Sequence, residues 1–133
     1  MTFAGTILLV DDEAHIRKFV GMILKQLSAA ISLIEASNGA EALVIYERDH
    51  PDLVLLDVNM PVMDGIETLR ALRNIDPACV VVMLTSLANR KTVEETVELG
   101  AAGYILKDTP KEEIARALSD IIHASFEIGG PTT

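Results

Sequence analysis

Leu53-Val54-Leu55-Leu56-Asp57-Val58-Asn59-Met60-Pro61-Val62-Met63-Asp64-Gly65 is the stretch from which the fold is read. Its four leading apolar residues, bounded by a turn signal, fit a strand buried on both faces, as found inside a parallel sheet. A carboxylate at the end of such a strand is costly to desolvate unless it meets water, a cation or a donor at the rim. Pro61 and the Asp64-Gly65 pair then enforce a turn. Asp57 therefore stands at the mouth of a sheet, where α/β proteins place their chemistry. From this stretch alone, a reactive acid and an acid that merely caps a turn are equally good readings.

The whole chain of 133 residues has room for one domain. Half of it is hydrophobic but only 4% is aromatic, so the core must be aliphatic. A formal net charge of −9 is the wrong sign for steering toward a phosphate backbone, which argues against direct nucleic-acid binding. Cys79 is the single cysteine and reads as a small buried residue at the start of a strand, in a reducing compartment. No run approaches the roughly 18 apolar residues of a membrane span. Ile7-Leu8-Leu9-Val10 lacks a basic flank and ends in Asp11-Asp12-Glu13, unlike a secretory signal. A cytoplasmic protein with no membrane partner is expected.

Five apolar runs, at 6–10, 31–35, 53–56, 80–84 and 103–106, alternate with five stretches of helical length. Three helix starts are marked by a capping residue with an acid three positions on: Asn38 with Glu41, Asp64 with Glu67, and Thr109 with Glu112. Pro110 would then be the first helical residue of the last of these. Alternation of this kind predicts a doubly wound (βα)5 three-layer α/β sandwich with a five-stranded parallel sheet covered on both faces.

In the first helix, Ile16, Phe19, Val20, Ile23, Leu24 and Leu27 span roughly 140° of surface, more than one core stripe requires. Phe19 lies at the margin, with His15, Met22 and Gln26 beside it. The stripe is either a wide core face or a core face with an apolar docking patch at its edge. The fourth helix, near 89–99, carries four β-branched residues and only Val93 and Val97 as an apolar stripe, so it is marginal and a candidate for movement. In the fifth, Ile114, Leu118 and Ile121 would face the core, with Arg116, Asp120 and His123 toward solvent. His15, His50 and His123 show no metal-ligand spacing and read as surface residues.

A parallel sheet brings the C-terminal ends of its strands to one rim. Strand one ends in Asp11, Asp12 and Glu13, strand three in Asp57, strand four in Thr85-Ser86 and strand five in Lys107. Clustered carboxylates stay ionised only with a cation among them. Oxygen-only ligation suits Mg²⁺, with Mn²⁺ as a substitute, and favours phosphate-bearing partners. A lysine and a hydroxyl on the same rim match the remaining oxygens of a phosphoryl group. Taken singly, Lys107, Thr85 and Tyr104 are ordinary surface or strand residues; the match at all four strand ends, Asp11-Asp12, Asp57, Thr85 and Lys107, is what reads as a site.

These motifs, with Leu8–Glu13, the stretch through Gly65, Leu84-Thr85-Ser86 and Gly100-Ala101-Ala102-Gly103-Tyr104-Ile105-Leu106-Lys107, resemble the receiver domain of bacterial two-component response regulators. The likeness runs from Thr6 to about His123. It implies a flavodoxin-like sheet in the order 2-1-3-4-5. It also implies that Asp57 is the phosphoacceptor, taking its phosphoryl group from a phosphohistidine of a sensor histidine kinase or a histidine phosphotransfer protein. Mg²⁺ would be held by Asp12, Asp57 and the backbone carbonyl of Asn59, with Asp11 reaching it through water. Lys107 and Thr85 would bind the phosphoryl group. Thr85 and Tyr104 would switch the face formed by the fourth helix, fifth strand and fifth helix toward a downstream protein or output domain. Such a domain acts on its own phosphorylation and has no separate substrate; it is a monomer or a phosphorylation-dependent dimer. His15, Phe19 and Met22 are the candidate partner-docking residues.

One departure stands out. Many receivers follow this lysine with a cis proline, whereas Lys107-Asp108-Thr109-Pro110 has none there, so a trans bond is expected. The ending resembles receivers that precede helix-turn-helix output domains, and the chain is either a stand-alone receiver or one cut from a longer DNA-binding regulator. Residues 1–125 are expected to form the domain and 126–133 a tail or the start of a linker. A rival class, the haloacid-dehalogenase type of Mg-dependent phosphatase, requires an Asp where this chain has Asn59 and a nucleophile on the first strand.

Overall fold

The structure, a computed structural model, describes residues 2–127. Strands β1 (Thr6–Val10), β2 (Ser32–Ala36), β3 (Leu53–Leu56), β4 (Val80–Thr85) and β5 (Gly103–Leu106) alternate with helices α1 (Ala14–Leu27), α2 (Gly39–Asp49), α3 (Gly65–Ile75), α4 (Arg90–Glu98) and α5 (Lys111–Ile122). A five-residue π-helical turn, His123–Glu127, continues α5. The sheet is parallel throughout and ordered β2-β1-β3-β4-β5.

The period-two pleat divides the strands between two cores. Leu8, Val10, Val54, Leu56, Val81 and Met83 point to the face packed with Ala42, Ile45 and Tyr46 of α2 and Leu69 and Leu72 of α3. Ile7, Leu9, Leu53, Leu55, Val82 and Leu84 point to the other, against Val20, Ile23 and Leu24 of α1 and Ile114, Leu118 and Ile122 of α5. All four residues of β3 are buried, as its unbroken apolar run requires. Each such side chain contributes roughly 1.5–3 kcal/mol on burial, so the sheet centre has no place for charge and polar groups collect at its ends.

Two of the three helix starts form as the sequence predicts. Asn38 accepts the Glu41 N–H at 2.9 Å, and Asp64 and Glu67 make a reciprocal capping box. The third does not. Pro110 is itself the cap residue of α5, and Thr109 turns its N–H to the Leu106 carbonyl at 3.1 Å instead. Glu112 and Glu113 in the first turn stabilise that helix end through its dipole. β2 starts one residue late because Ile31 is used as a buried plug, its N–H bonded to the Ser28 carbonyl. β4 runs one residue further, through Thr85.

Two inward faces also differ from expectation. In α4, Thr96 is fully buried and Val97 is 65% exposed. The Thr96 hydroxyl donates to the Val93 carbonyl at 2.8 Å, which removes the cost of burying it. In α5 the buried stripe is Ile114, Leu118 and Ile122, while Ile121 is half-buried beside Gly103, where an added Cβ would meet its Cδ1 at 2.7 Å. Arg116, Asp120 and His123 are exposed as expected. The Lys107–Asp108 peptide is trans.

Arg73 ties α4 to the body of the fold. Its Nε donates to the Leu99 carbonyl at 2.7 Å and its Nη2 to the Gly100 carbonyl, while Nη1 reaches the carbonyls of Pro77 at 3.0 Å and Cys79 at 2.6 Å. A cation at these carbonyls suits the C-terminal end of the α4 dipole. Gly100 has φ of +80°, the left-handed region where glycine is favoured. Cys79 is buried immediately before β4, and that burial pushes its thiol pKa up. At the far end, Phe3 packs on Phe126 with ring centroids 5.0 Å apart, and the Ser28 hydroxyl donates to the Phe3 carbonyl. The chain thus stays helical through Glu127; the rest of the expected tail, 128–133, lies outside the described residues.

Candidate functional site

The register of the sheet fixes which strand ends meet. Val10 pairs with Leu56, and Asp57 continues that ladder by donating its N–H to the Val10 carbonyl at 3.0 Å. Thr85 pairs with Leu106, and Lys107 donates its N–H to the Thr85 carbonyl at 3.0 Å. The Asp11 N–H reaches Ala36 O at 3.1 Å on the other side. Asp11, Asp57, Thr85 and Lys107 are therefore consecutive steps across one rim.

Both acids are buried: Asp57 is 3% exposed and Asp11 5%. Lys107 Nζ lies between them, 2.8 Å from Asp11 Oδ2 and 3.1 Å from Asp57 Oδ2, with Glu13 Oε1 at 3.3 Å. Burial acts against the Lys107 charge, but its hydrogen bonds and charge pairing with Asp11 and Asp57 outweigh this and raise its pKa. For Asp11, burial dominates and pushes the carboxyl up; the Asp57 charge adds to this, while Lys107 and the Glu13 N–H oppose it. One ammonium therefore faces more negative charge than it can balance. Asp12 is exposed beside them, and one ligand atom from each of Asp11, Asp12 and Asp57 lies within 4.8 Å of the others. This all-carboxylate oxygen set fits a hard divalent cation such as Mg²⁺.

The turn after β3 is built for close approach. Gly65 donates its N–H to the Val58 carbonyl at 2.8 Å, and a Cβ at Gly65 would sit 2.2 Å from the Asp57 carbonyl oxygen. Met63 donates to the Pro61 carbonyl at 2.8 Å across Val62, whose φ is +72°. That is a γ-turn with a β-branched residue in the left-handed region, a strained choice. The Asn59 N–H donates to Asp57 Oδ1 at 3.3 Å.

On the neighbouring loop, Thr85 is fully buried and its hydroxyl accepts the Leu87 N–H at 3.3 Å. The Tyr104 hydroxyl donates to the Leu87 carbonyl at 2.6 Å. Burial pushes the Tyr104 phenol pKa up, with the Asp57 charge adding to it. A single residue, Leu87, is held at its N–H by Thr85 and at its carbonyl by Tyr104.

The sequence model of the response regulator receiver domain family matches residues 7–119. The chain belongs to that family. A chemotaxis protein CheY from Halobacterium salinarum is 36% identical over 121 residues, covering 91% of this chain and 99% of that protein. The nitrate/nitrite response regulator protein NarL of Escherichia coli is 37% identical over 114 residues, covering 86% of this chain but 53% of NarL. Among solved structures, the Vibrio cholerae chemotaxis protein CheY4 superposes with a TM-score of 0.80 at 29% identity, over 90% of this chain and 99% of that one. The family consists of signalling proteins rather than enzymes that convert a separate substrate, which favours the receiver reading over the phosphatase one.

This receiver domain gathers Asp11, Asp12, Asp57 and Lys107 at one point, with Thr85 and Tyr104 meeting one loop residue away. His15, Phe19 and Met22 lie on α1; His15 Nε2 is 4.0 Å from Glu13 Oε2 at the edge of the rim, Phe19 is 39% and Met22 59% exposed, and Ile16 and Leu27 are half-buried. The wide stripe on α1 thus narrows to Val20, Ile23 and Leu24 as its core. Sequence reasoning passed over Arg17 and Glu35. Arg17 Nη1 donates to the Asp11 carbonyl at 2.6 Å and its Nε to Glu35 Oε1 at 2.7 Å. An arginine one turn into a helix that follows an acid pair was the available signal, but its partner on β2 is 18 residues away and invisible without the sheet.

Proposed function

We propose that the domain is the phosphoacceptor of a two-component phosphorelay, with Asp57 as the residue that carries the phosphoryl group. The observation that carries this is the buried Asp57 carboxylate held between Lys107 Nζ and the Asn59 N–H, inside a cluster of carboxylates suited to a divalent cation. A carboxylate oxygen of Asp57 attacks phosphorus, the P–N bond of a phosphohistidine breaks, and the imidazole of the donor leaves. The product is an acyl phosphate on Asp57.

Asp12, Asp57 and the Asn59 carbonyl would hold Mg²⁺, with Asp11 reaching it through water. The ion supplies charge neutralisation between the incoming phosphoryl oxygens and the carboxylates. Lys107 orients Asp57 beforehand and pairs with the phosphoryl oxygens afterwards, keeping its positive charge throughout because its pKa is raised. Thr85 exchanges the Leu87 N–H for a phosphoryl oxygen. That releases one of the two holds on Leu87, and Tyr104 then moves inward, changing the α4-β5-α5 face. Small Ser86 leaves access to the site. The donor is a sensor histidine kinase or a histidine phosphotransfer protein, docking near His15, Phe19 and Met22 on α1. The changed face binds a downstream protein or output domain, or a second copy of the chain.

Incubation with a small phosphodonor and Mg²⁺, followed by intact mass, tests this directly. The wild type should gain one phosphoryl group and Asp57→Ala none. No gain in the wild type, or an undiminished gain in the variant, refutes the proposal.

A further inference from the structure

Arg17 lies outside the acidic cluster yet grips the backbone that carries it. Glu13, which precedes α1, makes no side-chain cap hydrogen bond, and the first turn of α1 holds no acid. The usual devices that fix a helix start are missing. Residues 11–13 are held by other means. The Asp11 N–H extends the β1–β2 ladder to Ala36, the Glu13 N–H donates to Asp11 Oδ1 at 2.9 Å, and Arg17 Nη1 donates to the Asp11 carbonyl at 2.6 Å. The guanidinium is itself fixed from behind by Glu35 at 2.7 Å, and the Arg17 side chain is only 16% exposed. A planar fork makes both bonds at once, which a lysine cannot do.

Charge explains why such a grip is needed. Three carboxylates with ligand atoms within 4.8 Å repel one another. Asp57 is fixed by β3, so the cheapest relief is for the segment at Asp11 and Asp12 to swing away. Arg17 blocks that movement by holding the Asp11 carbonyl. Glu35 offsets the guanidinium charge, so the grip does not place an uncompensated cation beside a site that must accept another.

We propose that Arg17, oriented by Glu35, is a positioning residue for the divalent cation: it holds the Asp11–Asp12 backbone so that both carboxylates stay within reach of Asp57, and thereby sets ion affinity. It rests on the Mg-dependent phosphoryl transfer proposed above. The effect belongs to ion binding and not to the rate once the ion is bound.

The test titrates wild type, Arg17→Ala, Arg17→Lys and Glu35→Gln with Mn²⁺, reading the free ion by electron paramagnetic resonance. In parallel, the rate of phosphorylation by a small phosphodonor is followed against Mg²⁺ concentration. Arg17→Ala should weaken Mn²⁺ binding about tenfold and raise the Mg²⁺ needed for half-maximal rate by the same factor. Its rate at saturating Mg²⁺ should stay within about twofold of wild type. Arg17→Lys, which keeps one bond of two, and Glu35→Gln, at a half-exposed position, should fall in between. Unchanged Mn²⁺ affinity in Glu35→Gln and in whichever Arg17 variant folds overturns the inference, as does a loss confined to the saturated rate. A wild type that binds no Mn²⁺, or takes no phosphoryl group, overturns the proposed function and this inference with it. A working wild type with unaffected variants overturns the inference alone.

Discussion

Replacing Gly65 with alanine perturbs the junction between the phosphoacceptor strand and α3. The new Cβ would lie 2.2 Å from the Asp57 carbonyl oxygen, 2.6 Å from Val58 Cα and 2.9 Å from the Asp57 carbonyl carbon. All three are backbone atoms, which cannot rotate aside as a side chain does. Ordinary van der Waals contact begins at 3.4 Å, so the start of α3 must retreat by about 1.2 Å. Such a retreat breaks or stretches the 2.8 Å hydrogen bond from the Gly65 N–H to the Val58 carbonyl. Losing that bond costs about 1 kcal/mol and the overpacking about 1–3 kcal/mol more, so Gly65→Ala should destabilise the fold by roughly 2–4 kcal/mol. Urea unfolding followed by far-ultraviolet circular dichroism should show a lower midpoint with an unchanged slope. Because the atoms pressed on belong to Asp57 and Val58, part of the strain falls on the phosphoacceptor itself, and phosphorylation by a small phosphodonor should slow by up to about 100-fold. Stability within about 0.5 kcal/mol of wild type, together with an unchanged rate, would refute the steric reasoning.

Other parts of the structure yield further expectations. Arg73→Ala removes donors from the carbonyls of Pro77, Cys79, Leu99 and Gly100 and should cost about 2–4 kcal/mol by urea unfolding; a loss below about 0.5 kcal/mol would mean water replaces the guanidinium freely. Val62→Gly should stabilise the protein by up to about 1 kcal/mol, since it relieves a left-handed β-branched residue that is 83% exposed; destabilisation would show that Val62 makes contacts worth more than its strain. The Tyr46 hydroxyl donates to Asp76 Oδ2 at 2.7 Å and, with the Ala78 N–H, holds the Asp76 pKa below its ordinary 3.8. A carboxyl whose folded pKa is depressed stabilises the fold above its unfolded pKa and loses that contribution as pH falls through the folded value. Tyr46→Phe should therefore flatten the loss of stability below pH 3.8, and an acid profile parallel to wild type would contradict the assigned cause.

What could be read from the sequence followed from how many constraints each segment carried. β3 was legible because an unbroken apolar run of strand length has one place in an α/β sheet, and the alternation of the elements then placed the other strand ends beside it. Asp11, Asp57 and Lys107 thus converge as expected. α4 was not legible to the same depth: with two apolar positions, its inward face depends on how it docks against α3, and the hydroxyl of Thr96 could be buried because Val93 supplied a carbonyl. The α5 cap differs for a local reason: the helix begins one residue later, at Lys111, so Pro110 takes the cap position and Thr109 closes a turn onto Leu106. Arg17 and Glu35 escaped notice because their roles lie in a contact between α1 and β2 across 18 residues, which shows only once the helix has packed on the sheet. Leu87 as the shared partner of Thr85 and Tyr104 depends likewise on loop geometry that no spacing rule predicts.

The most direct test of the phosphoacceptor proposal is to find where the phosphoryl group sits. Protein treated with a small phosphodonor and Mg²⁺ would be reduced with borohydride, which converts an acyl phosphate to an alcohol, and then digested and sequenced by tandem mass spectrometry. Conversion at Asp57 alone, abolished when Mg²⁺ is chelated, is the predicted result. Conversion at Asp11 or Asp12 with Asp57 unmodified, or none at any residue, would contradict it.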